Sequence, residues 1–204
     1  MRKVHRLGGR VDDIADLVVC SVRGRPPSLG SSRFVCVDGP AGSGKTTATH
    51  ALLRAASEGG TARLLHMDDM YEGWTGLGNV SVRIQRDLVE PLGAEQPGRY
   101  RRYDWRRETF AEWHTVEPVD LLILEGVGSG ASSYQDRISS LLWVEAPREL
   151  RLERGVSRDG EAVLPKWLEW MDSESALFAR ERTRERADAL VDGTGQAEWA
   201  VEFI

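Results

Sequence analysis

The chain has 204 residues, with 27 basic and 32 acidic side chains, a net charge of −5, and 41% hydrophobic residues. That length suits a single compact domain, and the acidic balance argues against a nucleic-acid polymer as partner. No apolar run approaches the roughly 18 residues of a membrane span, the basic start (Met1 to Arg10) is not followed by a signal-peptide core, and Cys20 and Cys36 fit neither a disulfide framework nor a metal cluster, so the expected setting is the cytoplasm.

Apolar residues at Val11, Ile14, Ala15, Val18 and Val22 predict a short amphipathic helix over Arg10 to Val22, followed by a loop through Arg25 to Ser32. Residues 1–32 are read as an appendage to a domain over 33–204. Phe34 to Val37 reads as a buried strand, Asp38 to Gly44 as a glycine-rich turn, and a helix follows from Lys45 to a stop at Gly59-Gly60. A second strand is expected over Ala62 to Met67, and a helix over Ser81 to Leu92 with Ser81 as its cap. Tyr100 to Trp113 is polar, aromatic and fits no simple pattern. Strands follow at Val119 to Leu124 and Leu141 to Val144, with Pro147 opening a helix at its first position. Val156 to Ala162 reads as a charged loop, Leu164 to Arg186 as a long helix, and Ala189 to Val191 as a closing strand. Strands alternating with helices predict an α/β fold of three layers, a mostly parallel sheet covered by helices on both faces.

The strongest motif lies between the first predicted strand and its helix. Gly39-Pro-Ala-Gly-Ser-Gly-Lys45-Thr46 fits G-x-x-x-x-G-K-[ST], the phosphate-binding loop of nucleotide-binding proteins. Gly39, Ala41, Gly42, Ser43, Gly44, Lys45, Thr46 and Thr47 are the expected cradle for ATP. Glycines let the backbone N–H groups approach phosphate oxygens, and the helix N-terminus adds partial positive charge. Lys45 should reach the β- and γ-phosphates, while the Thr46 hydroxyl should hold Mg²⁺. Only three of the 27 basic residues are lysines, so Lys45 stands out among 24 arginines.

A second Mg²⁺ ligand is expected at the end of a neighbouring buried strand, and Leu121-Leu122-Ile123-Leu124-Glu125 supplies Glu125. Asp68 and Asp69 close the second predicted strand and should face the same crevice, because ligands in open α/β sheets gather at the carboxyl ends of strands. A kinase of small alcohols needs a carboxylate beside the attacking hydroxyl, and either aspartate suits. Arg151, Arg154 and Arg158 fall at i, i+3 and i+7; they form either a lid over the γ-phosphate or a solvated face paired with Glu145, Glu149 and Glu153. Trp167, Trp170, Met171 and Phe178 make an apolar helical stripe, and Glu174 on that stripe needs a partner, with a core-facing arginine preferred.

Together these residues resemble the uridine kinase family of P-loop nucleoside kinases, in order from about Phe34 to Gly193. The P-loop comes first, then Asp68-Asp69-Met70-Tyr71, then Tyr103-Asp104-Trp105, then a strand ending in Glu125-Gly126, and finally the arginine-bearing helix from Arg151 to Asp159. The resemblance implies transfer of the γ-phosphate of Mg·ATP to a nucleoside hydroxyl. It implies Asp68 as the base, Tyr71, Tyr103, Trp105 and Arg151 around the acceptor, and Arg151, Arg154 and Arg158 in a lid, with Arg154 and Arg158 serving the chemistry beside Lys45. Where the family carries a base-reading histidine this chain has Arg106-Arg107-Glu108, and the loop Glu72 to Gly78 also departs from the pattern. Two other readings stand beside this one. A nucleoside monophosphate kinase would need arginines for the acceptor phosphate, and Arg83, Arg86, Arg101 and Arg102 are available. A nucleotide-dependent switch would need no acceptor, but the chain has no guanine-reading Asn/Thr-Lys-x-Asp motif. The partner expected is a small nucleoside-like molecule, and self-association stays open.

Overall fold

The computed structural model describes residues 5–195 and 199–203. Its elements, in chain order, begin with β1 (His5–Gly9), α1 (Val11–Arg23), β2 (Arg33–Asp38), α2 (Lys45–Ser57) and β3 (Ala62–His66). Then come α3 (Val80–Ile84), α4 (Glu90–Gly93), β4 (Gly98–Asp104), β5 (Thr109–Val116), β6 (Leu121–Glu125) and β7 (Ser140–Glu145). The last are α5 (Arg148–Asp159), α6 (Leu164–Glu181), α7 (Thr183–Arg186), β8 (Ala189–Asp192) and β9 (Trp199–Phe203).

Seven strands form one sheet in the order β1-β9-β8-β7-β2-β6-β3. The five from β8 to β3 are parallel; β9 runs antiparallel to β8, and β1 runs antiparallel to β9. Because side chains alternate across a strand, β2 serves two cores at once. Val35 and Val37 join Leu121, Ile123, Leu142 and Val144 under α1 and α2, where Val18, Val22, Ala51 and Leu52 cover them. Phe34 and Cys36 join Leu122, Leu124 and Trp143 on the opposite face, under Ile84, Leu88, Leu92 and Trp170. The α/β architecture is therefore as expected, with helices on both faces. No helix among the described residues is long and apolar enough to cross a membrane.

Several local expectations are corrected. The helix expected from Ser81 starts one residue earlier, at Val80, because Val80 and Ile84 are both buried and Asn79 stands at the cap position. It continues through a wide π-helical stretch, Gln85–Val89, that keeps both Leu88 and Val89 buried. Tyr100 to Trp113 belongs to a two-stranded antiparallel ribbon, β4 against β5, with a register irregularity between Arg101 and Tyr103. Pro147 is the cap of α5 rather than its first residue. The segment read as a loop from Val156 is helical to Asp159; the helix passes through Gly155 and stops at Gly160 (φ 94°). The long helix ends at Glu181, where Arg182 takes a left-handed conformation (φ 52°), and α7 begins after it.

Candidate active site

Strand β2 delivers the chain into the site. The backbone turns at Gly39 (φ 137°), Gly42 (φ 76°) and Gly44 (φ 100°). A Cβ at Gly39 would collide with the Val144 carbonyl, and one at Gly42 would lie 2.6 Å from the Arg151 carbonyl oxygen, so only glycine fits these turns. The loop then enters α2, and Ala41, Gly42, Gly44, Lys45 and Thr46 line a cavity of about 580 Å³. The first turn of α2, with N–H groups that have no partner inside the helix, borders that cavity. Lys45 Nζ donates to the carbonyls of Gly39 (2.8 Å) and Pro40 (2.9 Å). Ser43 Oγ is buried without a partner among the described residues. Gly39, Ser43 and Thr47 do not line the cavity; they shape the loop and the start of α2.

These residues fit a triphosphate: main-chain N–H groups at the start of α2, a hydroxyl without a partner among the described residues, a lysine, and turns where side chains are excluded. Thr46, exposed at the cavity, and Glu125 across from it are oxygen donors of the kind Mg²⁺ takes alongside phosphate oxygens and water.

Nothing in the motif pattern singles out Asp38, yet it ties the cradle together. Its Oδ1 accepts the N–H groups of Gly39 (2.7 Å) and Gly128 (2.8 Å), and its Oδ2 accepts that of Gly130 (2.9 Å). The phosphate loop is thereby joined to the glycine-rich loop after β6. Complete burial raises its pKa to about 6, although the three N–H groups and Lys45 favour the charged form. The available signal was a carboxylate at the end of a buried strand directly before the glycine run.

Glu125 ends β6 between the ends of β2 and β3, opposite Val37 and His66. His66 Nδ1 lies 3.8 Å from its Oε1, and Thr49 Oγ1 lies 3.4 Å from its Oε2. Burial pushes this carboxyl up, but the nearby His66 imidazole and the charge of Lys45, with help from Thr46, hold it below its usual value. That shift favours the charged form that a divalent cation would take. His66 is raised in turn, first by the nearness of Glu125.

Asp68 stands in a tight turn, Met67–Asp69, directly after β3, and it lines the cavity with Asp69. Its side chain is exposed to the cavity, with protein packed closely enough around that opening to desolvate it. That desolvation, with the like charge of Glu125, raises its pKa against the pull of Lys45, Arg158 and His66. Its main-chain carbonyl accepts the Trp105 indole N–H at 2.8 Å, so the ribbon turn fixes the catalytic-looking turn.

Rings form the remaining wall. Trp74, in the loop where the family pattern is departed from, meets Trp105, Trp167 and Trp170 edge-to-face at 5.7, 6.4 and 6.0 Å. Tyr71 packs on Trp170 at 5.0 Å and donates to the Val127 carbonyl at 2.7 Å. Trp105 is 38% exposed, while Tyr103 is buried behind it at 5.4 Å and does not line the cavity. The helical stripe Trp167 and Trp170, legible only as core, is both buried and cavity-facing. Glu108 sits exposed at the ribbon turn (φ 50°), away from the cavity lining.

The helix persists far enough to put Arg151, Arg154 and Arg158 near one another, but each is held differently. Arg154 donates to the carbonyls of Gly42 (3.2 Å), Gly193 (2.9 Å) and Thr194 (2.6 Å) and lines the cavity. Arg158 pairs in bidentate fashion with Asp159 and lies over the Trp167 ring at 5.7 Å. Arg151 is buried, does not line the cavity, and meets Glu174 at 2.7 Å, the arginine partner that Glu174 required. Gly155, between them on α5, lies so close to the Trp167 indole that any Cβ there would clash.

No protein-family model matches the chain. Curated relatives do: a uridine kinase of Staphylococcus epidermidis is 23% identical over 86% of this chain and 95% of its own, and one of Leuconostoc citreum is 25% identical over 82% and 90%. The chain is similar to the uridine kinases over most of its length. Solved structures share its fold. A Bacillus stearothermophilus protein described as a possible uridine kinase superposes with TM-score 0.63 over 87% of this chain and 97% of its own, at 18% identity. A Silicibacter sp. TM1040 protein described as a fructose transport system kinase gives TM-score 0.53 over 85% and 94%, at 21% identity.

Proposed function

We propose that this kinase moves the γ-phosphate of Mg·ATP to a hydroxyl of a nucleoside or similar small molecule, with Asp68 as the base. The observation that carries the reading is that one cavity holds the phosphate cradle, Glu125 and Asp68, with a wall of rings beyond them. In this reading the acceptor hydroxyl gives its proton to the Asp68 carboxylate as its oxygen bonds to the γ-phosphorus, and the bond from that phosphorus to ADP breaks. The raised pKa of Asp68 makes it a better proton acceptor than an ordinary aspartate. Lys45, Arg154 and Arg158 balance charge on the transferred group, and the loop N–H groups orient it. Thr46 and Glu125 would hold Mg²⁺, which would supply positive charge against the phosphates.

The acceptor is assigned to the nucleosides because the relatives similar over most of their length are named uridine kinases. A phosphorylated acceptor is disfavoured. Arg83 is held by the Met70 carbonyl, Arg86 by Asp87, Arg101 by the carbonyls of Phe110 and Ala111, and Arg102 by Glu112; none of the four lines the cavity. The test is incubation with Mg·ATP and a panel of nucleosides, nucleoside monophosphates and simple alcohols, read by mass spectrometry beside ADP release. A nucleoside gaining one phosphoryl group is the expected result. A gain on monophosphates alone would move the function to the other kinase class, and hydrolysis without any modified acceptor would favour a switch.

A further inference from the structure

The phosphate loop is gripped from outside the cavity by a buried ion pair. Glu174 on α6 is 1% exposed, and its Oε2 accepts the Ala41 N–H at 2.7 Å while its Oε1 takes Arg151 Nη1 at 2.7 Å. The same Arg151 nitrogen donates to the Ala41 carbonyl at 3.3 Å, and its Nε donates to the Ala146 carbonyl at 3.1 Å. Both main-chain groups of one loop residue are thus claimed by one pair. The next residue, Gly42, gives its carbonyl to Arg154. Glu174 also follows Trp167 and Trp170 at i+7 and i+4, so one face of α6 carries two cavity rings and the group that holds the loop.

We propose that Glu174 is a positioning residue for phosphoryl transfer: with Arg151 it clamps Ala41 by its N–H and carbonyl, and so fixes the loop that receives the nucleotide. This rests on the ATP reading above. A buried pair is a poor device for stability alone, since apolar residues of similar volume often replace one without loss. It is a good device for placing atoms, because charge-assisted hydrogen bonds are short and directional. Arg151 accordingly acts on the loop from behind and does not touch the acceptor.

Two double variants separate position from stability, each free of an unpaired charge. Glu174→Met with Arg151→Met removes the acceptor for the Ala41 N–H; Glu174→Gln with Arg151→Met keeps an amide oxygen there. Thermal melting and calorimetric titration with Mg·ADP are measured on both. The Met/Met protein should melt close to wild type yet bind Mg·ADP about tenfold or more weakly, while the Gln/Met protein stays within about threefold. Wild-type affinity in a folded Met/Met protein, or equal losses in both variants, would overturn the proposal. Should Met/Met not fold, hydrogen exchange at the Ala41 amide of the wild-type protein decides: slow exchange supports the clamp, and exchange as fast as that of an open loop removes it. A wild-type protein that did not bind Mg·ADP would instead sink the ATP reading, while the exchange rate would still report on the clamp.

Discussion

On the proposed phosphate side of the cavity, place is set by backbone and buried charge: three N–H groups converge on Asp38, and Glu174, Arg151 and Arg154 hold Ala41 and Gly42. On the proposed acceptor side it is set by rings, Trp74 against Trp105, Trp167 and Trp170, and by one carboxylate whose main chain rests on an indole N–H. Charge-assisted hydrogen bonds hold atoms to fractions of an ångström, whereas edge-to-face contacts are broad and tolerate reshaping. The difference teaches where this scaffold is held rigidly and where it can be reshaped.

That contrast has a kinetic signature: phosphate-side substitutions should change ATP parameters or the chemical step, and ring-side substitutions the acceptor's KM alone. Lys45→Ala should have the largest effect, lowering kcat about a thousandfold or more with the fold intact by circular dichroism. Normal turnover in that variant would end the cradle assignment. Asp68→Asn should lower kcat on the order of a hundredfold or more while leaving the KM for ATP near wild type. Because Asp68 would act in its ionised form and its pKa is raised, the acid limb of wild-type kcat/KM should lie above the ordinary aspartate value and vanish in the variant. A limb that persisted in Asp68→Asn would assign the base elsewhere.

Trp74→Leu sharpens the other half: the acceptor's KM should rise roughly tenfold, with kcat and the KM for ATP little changed. A matching rise in the KM for ATP would show the two halves are not separable. The smallest effect concerns stability. Asp38 has a folded pKa of about 6 against an ordinary 3.8, so the folded state holds its proton more tightly than the unfolded one. Its favourable contribution is complete below the ordinary value and is lost as pH rises through about 6. Asp38→Asn cannot titrate, so the stability of wild type relative to this variant should fall across that window in urea titrations. A flat or rising difference would contradict the burial argument.

What was legible was contiguous. The cradle, Glu125 at a strand end and Asp68 after the next strand are each spelled within a few residues, and the sheet follows from buried runs such as Leu121 to Leu124. The ring wall was not, because Trp74, Trp105 and the Trp167–Trp170 pair come from a loop, a ribbon turn and a helix. An apolar helical stripe looks the same whether it meets core or cavity. The ribbon hid because arginines occupy its exposed positions, with Arg99 and Arg101 lying over rings, so its alternation is weak. Spacing alone put Arg151, Arg154 and Arg158 on one helix face, but what lies opposite that face depends on the distant loop at Ala41 and Gly42.

The meeting of Gly155 with Trp167 bears on how the ring wall can be reshaped. The indole fills the space a side chain at position 155 would take, so the wall's thickness is shared between two residues on different helices. Volume can be traded between them, a methyl at one position for a smaller ring at the other. Either change alone is a clash or a hole, and the two together keep the wall filled.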